Sequence, residues 1–158
     1  MEYRMYCLAE RHLSSIQKAI QSAHAIVDYG MKNIGTEEYS KWGNVNKTIV
    51  VLDGGTAIDL MNTVDYLNTM HISFAVFKEP DMQYMLTSIA FLADERVWDY
   101  ETYGRSWEDY YKKNYSLEER RTHDEVYVET LRQVWIAKIG GLQNAALKEL
   151  ISDKRLAI

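Results

Sequence analysis

The chain has 158 residues, of which 47% are hydrophobic and 26% are charged, as is typical of a globular protein with an apolar core. Its formal net charge is −5, whereas proteins that grip a nucleic-acid backbone usually carry a basic surplus. An extended duplex or a large RNA is therefore disfavoured as a partner. No stretch approaches roughly eighteen consecutive apolar residues, and the N-terminus lacks a signal-peptide pattern. We expect no membrane contact and a cytoplasmic location.

Strands and helices are predicted to alternate in the first part of the chain. The predicted strands are 3–8, 47–53, 72–77 and 85–93, because β-branched and aromatic residues fill these short runs. Helices are predicted over 15–32 and from about 56 to 70, where apolar residues recur with helical spacing. The order β-α-β-α-β-β predicts an α/β fold, a three-layer domain with a four-stranded mixed sheet.

The composition changes after Val97, where tryptophan, tyrosine and paired charges dominate. Ser116 and Glu119 form a capping-box pattern, which predicts a helix running to about residue 139, and a last helix is predicted over 142–152. We therefore assign 1–97 to the α/β domain and 98–158 to a helical extension. The extension carries apolar residues at helical spacing that predict packing on the domain or on a second copy, and so a homodimer or higher homo-oligomer: Val128, Leu131, Val134, Trp135 and Ile139.

The first predicted helix carries two stripes. Its apolar stripe consists of Ile16, Ile20, Ala23, Val27 and Met31, as expected of an amphipathic helix. A polar stripe flanks it.

Four polar residues make up this second stripe, namely Gln17, Gln21, His24 and Asp28, which share one side of the helix. Amides donate and accept hydrogen bonds, and an imidazole acts as acid, base or hydrogen-bond partner. The stripe is suited to lining a cleft beside the sheet. The alternative is a solvated polar edge with a contact between His24 and Asp28.

An acidic loop follows the third predicted strand. Glu79 and Asp81 flank Pro80, the only proline of the chain, and loops at strand ends often carry function. Two carboxylates in this loop could orient a ligand amine, a ribose hydroxyl or a water molecule. Thr87, near the start of the next strand, could add a hydroxyl to the same cleft. The alternatives are an ordinary acidic turn and a threonine that packs as a β-former.

Metal and cofactor chemistry has little support in the sequence. His12, His71 and His123 show no metal-ligand spacing with one another or with Cys7, the only cysteine. We therefore expect no metal site and no cofactor. Cys7 has no intramolecular disulfide partner and is expected to be a small buried residue.

Three segments together resemble the type-two peptidyl-tRNA hydrolase family over about residues 1–95. They are 13–29 (LSSIQKAIQSAHAIVDY), 47–53 (KTIVVLD) and 77–90 (FKEPDMQYMLTSIA). They look most like a variant branch with an E-P-D loop, often met in bacteriophages and actinobacteria. The resemblance implies four mixed strands with helices on both faces. It also implies a site between the first helix, the E-P-D loop and the L-T strand, where Gln17, Gln21, His24, Glu79, Asp81 and Thr87 would converge.

The sequence departs from the family pattern at two places. The family has a lysine at the position of Gln17, and Lys18, the next residue, lies about 100° away around a helix. The family aspartate corresponds to Glu79, and Pro80-Asp81 replaces a glycine-arginine element. Because ester hydrolysis needs a positioned charge or donor for the developing oxyanion, the loss of this lysine favours binding over catalysis.

Three functional hypotheses follow from these residues. The first is a protein that binds a nucleotide or nucleotide-like small molecule, in a phage an anti-defence protein that sequesters or inactivates a host nucleotide signal in the host cytoplasm. The second is an active hydrolase of peptidyl-tRNA or a cyclic nucleotide, with His24 or Glu79 as the general base and with Gln17, Gln21 and Thr87 positioning the substrate. The third is a partner-binding protein with an idle pocket. A tRNA is the less favoured ligand because the chain is acidic.

Overall fold

A computed structural model describes residues 1–157 and divides the chain into two compact units. The first, which we call the sheet unit, contains residues 1–93 and the segment that begins at Lys154. The second, the helical unit, contains residues 94–153. This division falls a few residues before the boundary predicted from composition, and it returns the last segment to the sheet unit. Along the described residues, no helix combines the length and the hydrophobicity needed to cross a bilayer.

The sheet has four strands, β1 (Tyr3–Ala9), β2 (Thr48–Asp53), β3 (Ala75–Glu79) and β4 (Met85–Asp94). Their order is β2-β1-β4-β3, with β1 parallel to β2 and β3 antiparallel to β4. The α/β class and the four-stranded mixed sheet are therefore confirmed. The two central strands, β1 and β4, are the most buried, as their apolar runs predict.

Residues 154–157 add an unpredicted contact along the outer side of β2. The Asp53 N–H donates to the Arg155 carbonyl at 2.8 Å, and the Ala157 N–H donates to the Val51 carbonyl at 3.0 Å. A short antiparallel bridge joins Leu52 to Leu156. The last residues thereby satisfy backbone groups of an edge strand that would otherwise remain open for pairing.

The helices of the sheet unit begin where their capping residues predict. The long helix α1 (Ser15–Asn33) starts with a capping box at Ser14, and α3 (Ala57–Thr69) starts with one at Thr56. Between them lie α2 (Glu37–Lys41) and a π-helical turn (Trp42–Asn46). Each capping box satisfies two of the backbone N–H groups that a helix start leaves open.

The orientation of α1 is the main departure from the pattern expected of an amphipathic helix. Its apolar stripe faces solvent, and Ile16, Ile20, Val27 and Met31 are all exposed. The buried side contains small and polar residues instead, namely Lys18, Gln21, Ser22, Ala25, Tyr29, Gly30 and Asn33. Ala25 and Tyr29 pack into the core beneath the helix together with Met5, Cys7 and Ala90.

The helical unit contains six helices among its described residues. They are α4 (Glu95–Trp98), α5 (Tyr100–Tyr103), α6 (Trp107–Asn114), α7 (Leu117–Thr122), α8 (Glu125–Lys138) and α9 (Leu142–Ser152). The prediction of one continuous helix from Ser116 to about residue 139 is wrong. His123 adopts an extended conformation, and the Asp124 side chain accepts the Tyr127 N–H to start a new helix.

The helical unit has an apolar core of its own. Trp135, Ile136, Ile139 and Ala145 form this core, and the Trp135 indole N–H donates to the Tyr103 carbonyl at 2.9 Å. Two of the residues expected to pack on the domain or on a second copy, Trp135 and Ile139, therefore lie in the core of the unit that carries them. Val134, by contrast, is exposed.

Candidate functional site

Gln21 connects three elements of the sheet unit from the buried side of α1. Its Nε2 donates to Glu79 Oε2 at 2.5 Å, at the end of β3. Its Oε1 accepts from Thr87 Oγ1 at 3.2 Å, near the start of β4. The Thr87 hydroxyl also lies 3.2 Å from the Phe77 carbonyl. The structure thus brings Gln21, Glu79 and Thr87 together, and both ends of the amide are held.

Glu79 is positioned by the loop as well as by the helix. It is the N-cap of a short 3-10 helix (Pro80–Met82), and its Oε1 accepts the Asp81 backbone N–H at 3.4 Å. Pro80 suits the first position of this turn because its φ is already fixed and it has no N–H to satisfy. Asp81 therefore supports Glu79 through its backbone, while its own side chain is exposed.

His24 lies one turn after Gln21 and joins the site through an aromatic contact. Its ring stacks on Phe77 with 4.4 Å between ring centroids and an interplanar angle of 19°. Phe77 is two residues before Glu79 on β3. The exposed imidazole and the half-buried phenyl ring thus form a flat aromatic surface beside the bridged carboxylate.

Gln17 has a structural contact in place of the ligand contact expected from the sequence. Its side-chain Oε1 accepts the Ser14 N–H at 3.0 Å, and its own N–H donates to Ser14 Oγ at 3.3 Å. These are the two hydrogen bonds of the capping box at the start of α1. The Gln17 side chain is exposed and turned back to the helix start, so it is not joined to Gln21, Glu79 and Thr87.

Lys18, the residue that follows Gln17, is the site residue that sequence reasoning misses. It is only 7% exposed, and it precedes Gln21 by three residues, so the two share the buried side of α1. The signal is present in the Lys18, Gln21, Ser22 and Ala25 spacing, which is itself helical. It is easily overlooked because the other stripe of the helix is more apolar and so resembles the packing side.

A basic and acidic pair lies at the ends of the parallel strands β1 and β2. Arg11 Nε is 3.0 Å from Asp53 Oδ2, and the Gly55 N–H donates to Asp53 Oδ1 at 2.8 Å. Burial alone would raise the pKa of Asp53. The hydrogen bonds from Gly55 and Arg11 and the positive charges of Arg11 and Lys18 outweigh it, and the pKa lies below its ordinary value. The Asp53 carboxylate thus responds to the Lys18 ammonium.

Glu10 is a second group that the sequence did not single out. It follows β1 directly, and its side chain is 4% exposed. One carboxylate oxygen lies 2.7 Å from His12 Nδ1, and the other accepts the His12 N–H at 2.7 Å. The Glu10 N–H donates to the Thr87 carbonyl at 2.9 Å, which places this pair beside the start of β4.

These contacts lie at one edge of the sheet, where β1, β2 and β3 end and β4 begins. Ligands of open α/β sheets commonly bind outside the carboxyl ends of the strands. The edge offers carboxylates, an amide, a hydroxyl, an imidazole and two cations. Within residues 1–157, no group of three or more His, Cys, Asp or Glu side chains is arranged to hold a metal ion.

No protein-family model and no curated protein matches this chain.

Proposed function

We propose that the sheet unit binds a nucleotide or nucleotide-like small molecule at this edge of the sheet. The observation that carries the proposal is the Gln21 amide, which holds Glu79 at 2.5 Å and Thr87 at 3.2 Å. A carboxylate held in this way keeps further lone pairs for ligand donors. Ribose hydroxyls and base amino groups are such donors.

The neighbouring side chains supply the other contacts that a nucleotide requires. The stacked rings of His24 and Phe77 offer an aromatic surface for a base, and stacking on aromatic side chains contributes about 1–3 kcal/mol per base. Lys18 and Arg11 offer positive charge for a phosphate group. The overall charge of −5 favours a ligand of one or two nucleotides over a long nucleic acid.

Hydrolysis is the second candidate function, and the buried position of Lys18 favours it. In this scheme Glu79 or His24 takes a proton from water, and the water oxygen bonds to the carbonyl or phosphorus atom of an ester. The Lys18 ammonium stabilises the negative charge that develops there. The ester bond then breaks, and the base returns the proton to the departing ribose hydroxyl.

The resemblance to type-two peptidyl-tRNA hydrolases belongs to the same proposal. The contact of Gln21 with Glu79 and Thr87 supports it, since these residues lie on two of the three segments that carry the resemblance. In a phage, such a protein would sequester or inactivate a host nucleotide signal. The remaining hypothesis, a partner-binding protein with an idle pocket, predicts that no nucleotide binds.

A calorimetric and thermal-shift titration tests the proposal. The full chain is titrated with mononucleotides, cyclic mononucleotides and cyclic dinucleotides, and is separately incubated with peptidyl-tRNA. Glu79→Gln removes the carboxylate charge at the site, and Glu37→Gln makes the same change at an exposed helix start. We expect at least one nucleotide to bind, and Glu79→Gln to weaken it by at least about tenfold, or about 1.4 kcal/mol, with no effect of Glu37→Gln.

Mass spectrometry of the ligand recovered from heat-denatured protein separates the two candidate functions. Recovery of the intact nucleotide supports binding, whereas recovery of a cleaved product supports hydrolysis. If no nucleotide binds and no ester is cleaved, both site-based functions are wrong. Equal binding by wild type and Glu79→Gln would equally refute the assigned site.

A further inference from the structure

The outward side of α1 carries an apolar stripe with nothing covering it in the single chain. Ile16, Met31 and Ile34 are each 74% exposed, Val27 is 63% exposed and Ile20 is 49% exposed. Soluble monomers seldom leave so large a contiguous apolar patch open to water, and such a patch usually marks an interaction surface. Together with Ala23 we call these residues the outer stripe.

We propose that the outer stripe is a dimer interface in which α1 packs antiparallel against α1 of a second copy of this chain. Ile16, Ile20, Ala23, Val27 and Ile34 follow the alternating three- and four-residue spacing of a coiled-coil seam. With Gly30 completing the series, the pattern extends over the whole 19-residue helix. A seam of this length is suited to a partner helix of equal length.

The order of side-chain sizes within the stripe favours a second copy as the occupant. Large residues at 16 and 20 are followed by the small Ala23 and then by large residues at 27 and 31. This order reads almost the same in both directions. An antiparallel partner related by a twofold axis would place Ile16 against Met31 and Ile20 against Val27. Ala23 would lie beside the axis, where a small side chain allows close approach.

Area and electrostatics agree with this occupant. The five large side chains expose roughly 500–600 Å² in one chain, so a pair would bury about 1,000–1,200 Å² from these residues alone, near the lower limit of stable interfaces. An antiparallel pair also sets the positive start of each helix beside the negative end of the other. A symmetric pair closes on itself, so the stripe is fully used by two chains.

The inward side of the same helix leaves little room for the alternative that the stripe is a misplaced core face. Gln21 is bonded to Glu79 and Thr87, and Ala25 and Tyr29 lie in the core. Turning the helix to bury the stripe would break these contacts. The apolar residues of α1 therefore need a partner outside the chain.

Sedimentation analysis tests the dimer over a wide range of protein concentration. We expect wild type to dimerise and Ile20→Glu, which places a charge in the seam of both copies, to raise the dimer Kd by at least about 100-fold. Ile58→Glu on α3 is the matched control, because Ile58 is 70% exposed and lies outside the stripe. It should leave the Kd unchanged. A monomeric wild type, or a dimer that Ile20→Glu does not weaken, would overturn the proposal.

Thiol cross-linking tests the antiparallel geometry. Ala23→Cys is expected to cross-link to its own copy through a short bis-maleimide. Ile16→Cys is expected not to, because position 16 in one copy would lie about 22 Å along the helix axis from position 16 in the other. Combining Ile16→Cys with Met31→Cys should restore cross-linking. The native Cys7 is buried, so wild type provides the background. Efficient cross-linking of Ile16→Cys alone would indicate a parallel pair and refute the arrangement.

Discussion

Replacing Gln21 tests the contact on which the candidate site depends. Gln21→Ala removes the donor to Glu79 and the acceptor for Thr87. The Thr87 hydroxyl keeps an acceptor, because it also lies 3.2 Å from the Phe77 carbonyl. Glu79 keeps the Asp81 N–H and gains water at its partly exposed side. The loss therefore centres on one hydrogen bond to a charged group.

The expected destabilisation follows from that single bond. Hydrogen bonds to charged groups contribute about 1.5–3 kcal/mol, so Gln21→Ala should lower the free energy of unfolding by about 2 kcal/mol. For a chain of this size that corresponds to a fall in Tm of about 4–8 °C. Gln21→Glu has nearly the same shape but sets two carboxylates side by side, and should be more destabilising at neutral pH.

The pH dependence of Gln21→Glu gives the refuting measurement. At neutral pH both carboxylates are charged and repel, whereas at mildly acid pH one of them takes up a proton and the pair can share it. The gap in unfolding free energy between wild type and Gln21→Glu should therefore narrow as the pH falls from about 7 to about 4. Gln133→Ala, an exposed glutamine bonded to Glu129 on its own helix, is the control. If Gln21→Ala costs no more than this control and Gln21→Glu shows no pH dependence, the contact with Glu79 is wrong.

Two further predictions concern buried ionisable groups. Burial lowers the pKa of Lys148 to about 8, so the folded state releases this proton before the unfolded state does, and Lys148 should add about 1 kcal/mol of stability between about pH 7 and pH 9; urea titrations should show that increase in wild type relative to Lys148→Met, and parallel curves would contradict it. Burial raises the pKa of Cys7 to about 12, so iodoacetamide at about pH 8 should label it only after unfolding, and rapid labelling of the native protein would contradict its burial.

Local signals predict most of the sheet unit. Ser14 and Thr56 mark helix starts that the structure has at those residues, because capping depends on neighbouring side chains alone. The predicted strand 47–53 agrees with β2 to within one residue, since a β-branched run has few alternatives. The contact of Gln21 with Glu79 is expected from the family resemblance alone, as no local rule relates residues so far apart in the sequence.

The errors arise where tertiary contacts override local pattern. The sequence predicts one helix from residue 116 to 139, but Asp124 caps a new helix start after His123, and an aspartate within a polar run is not a conspicuous break. Residues 154–157 pair with β2 although nothing in their composition predicts a strand. Gln17 is favoured over Lys18 in the sequence, because the direction of a helix toward its sheet cannot be read from the helix alone.

The inversion of α1 connects the candidate site with the outer stripe. A helix that covers a sheet normally turns its most apolar side inward, and α1 instead buries Lys18 and Gln21. Burying such polar side chains costs free energy unless hydrogen bonds compensate it, so their position is better explained by a binding or catalytic role than by stability. The displaced apolar residues must then be covered from outside, which a second copy does. Because the two sides of the helix are independent, Ile20→Glu should abolish association without weakening nucleotide binding, and Glu79→Gln should do the reverse.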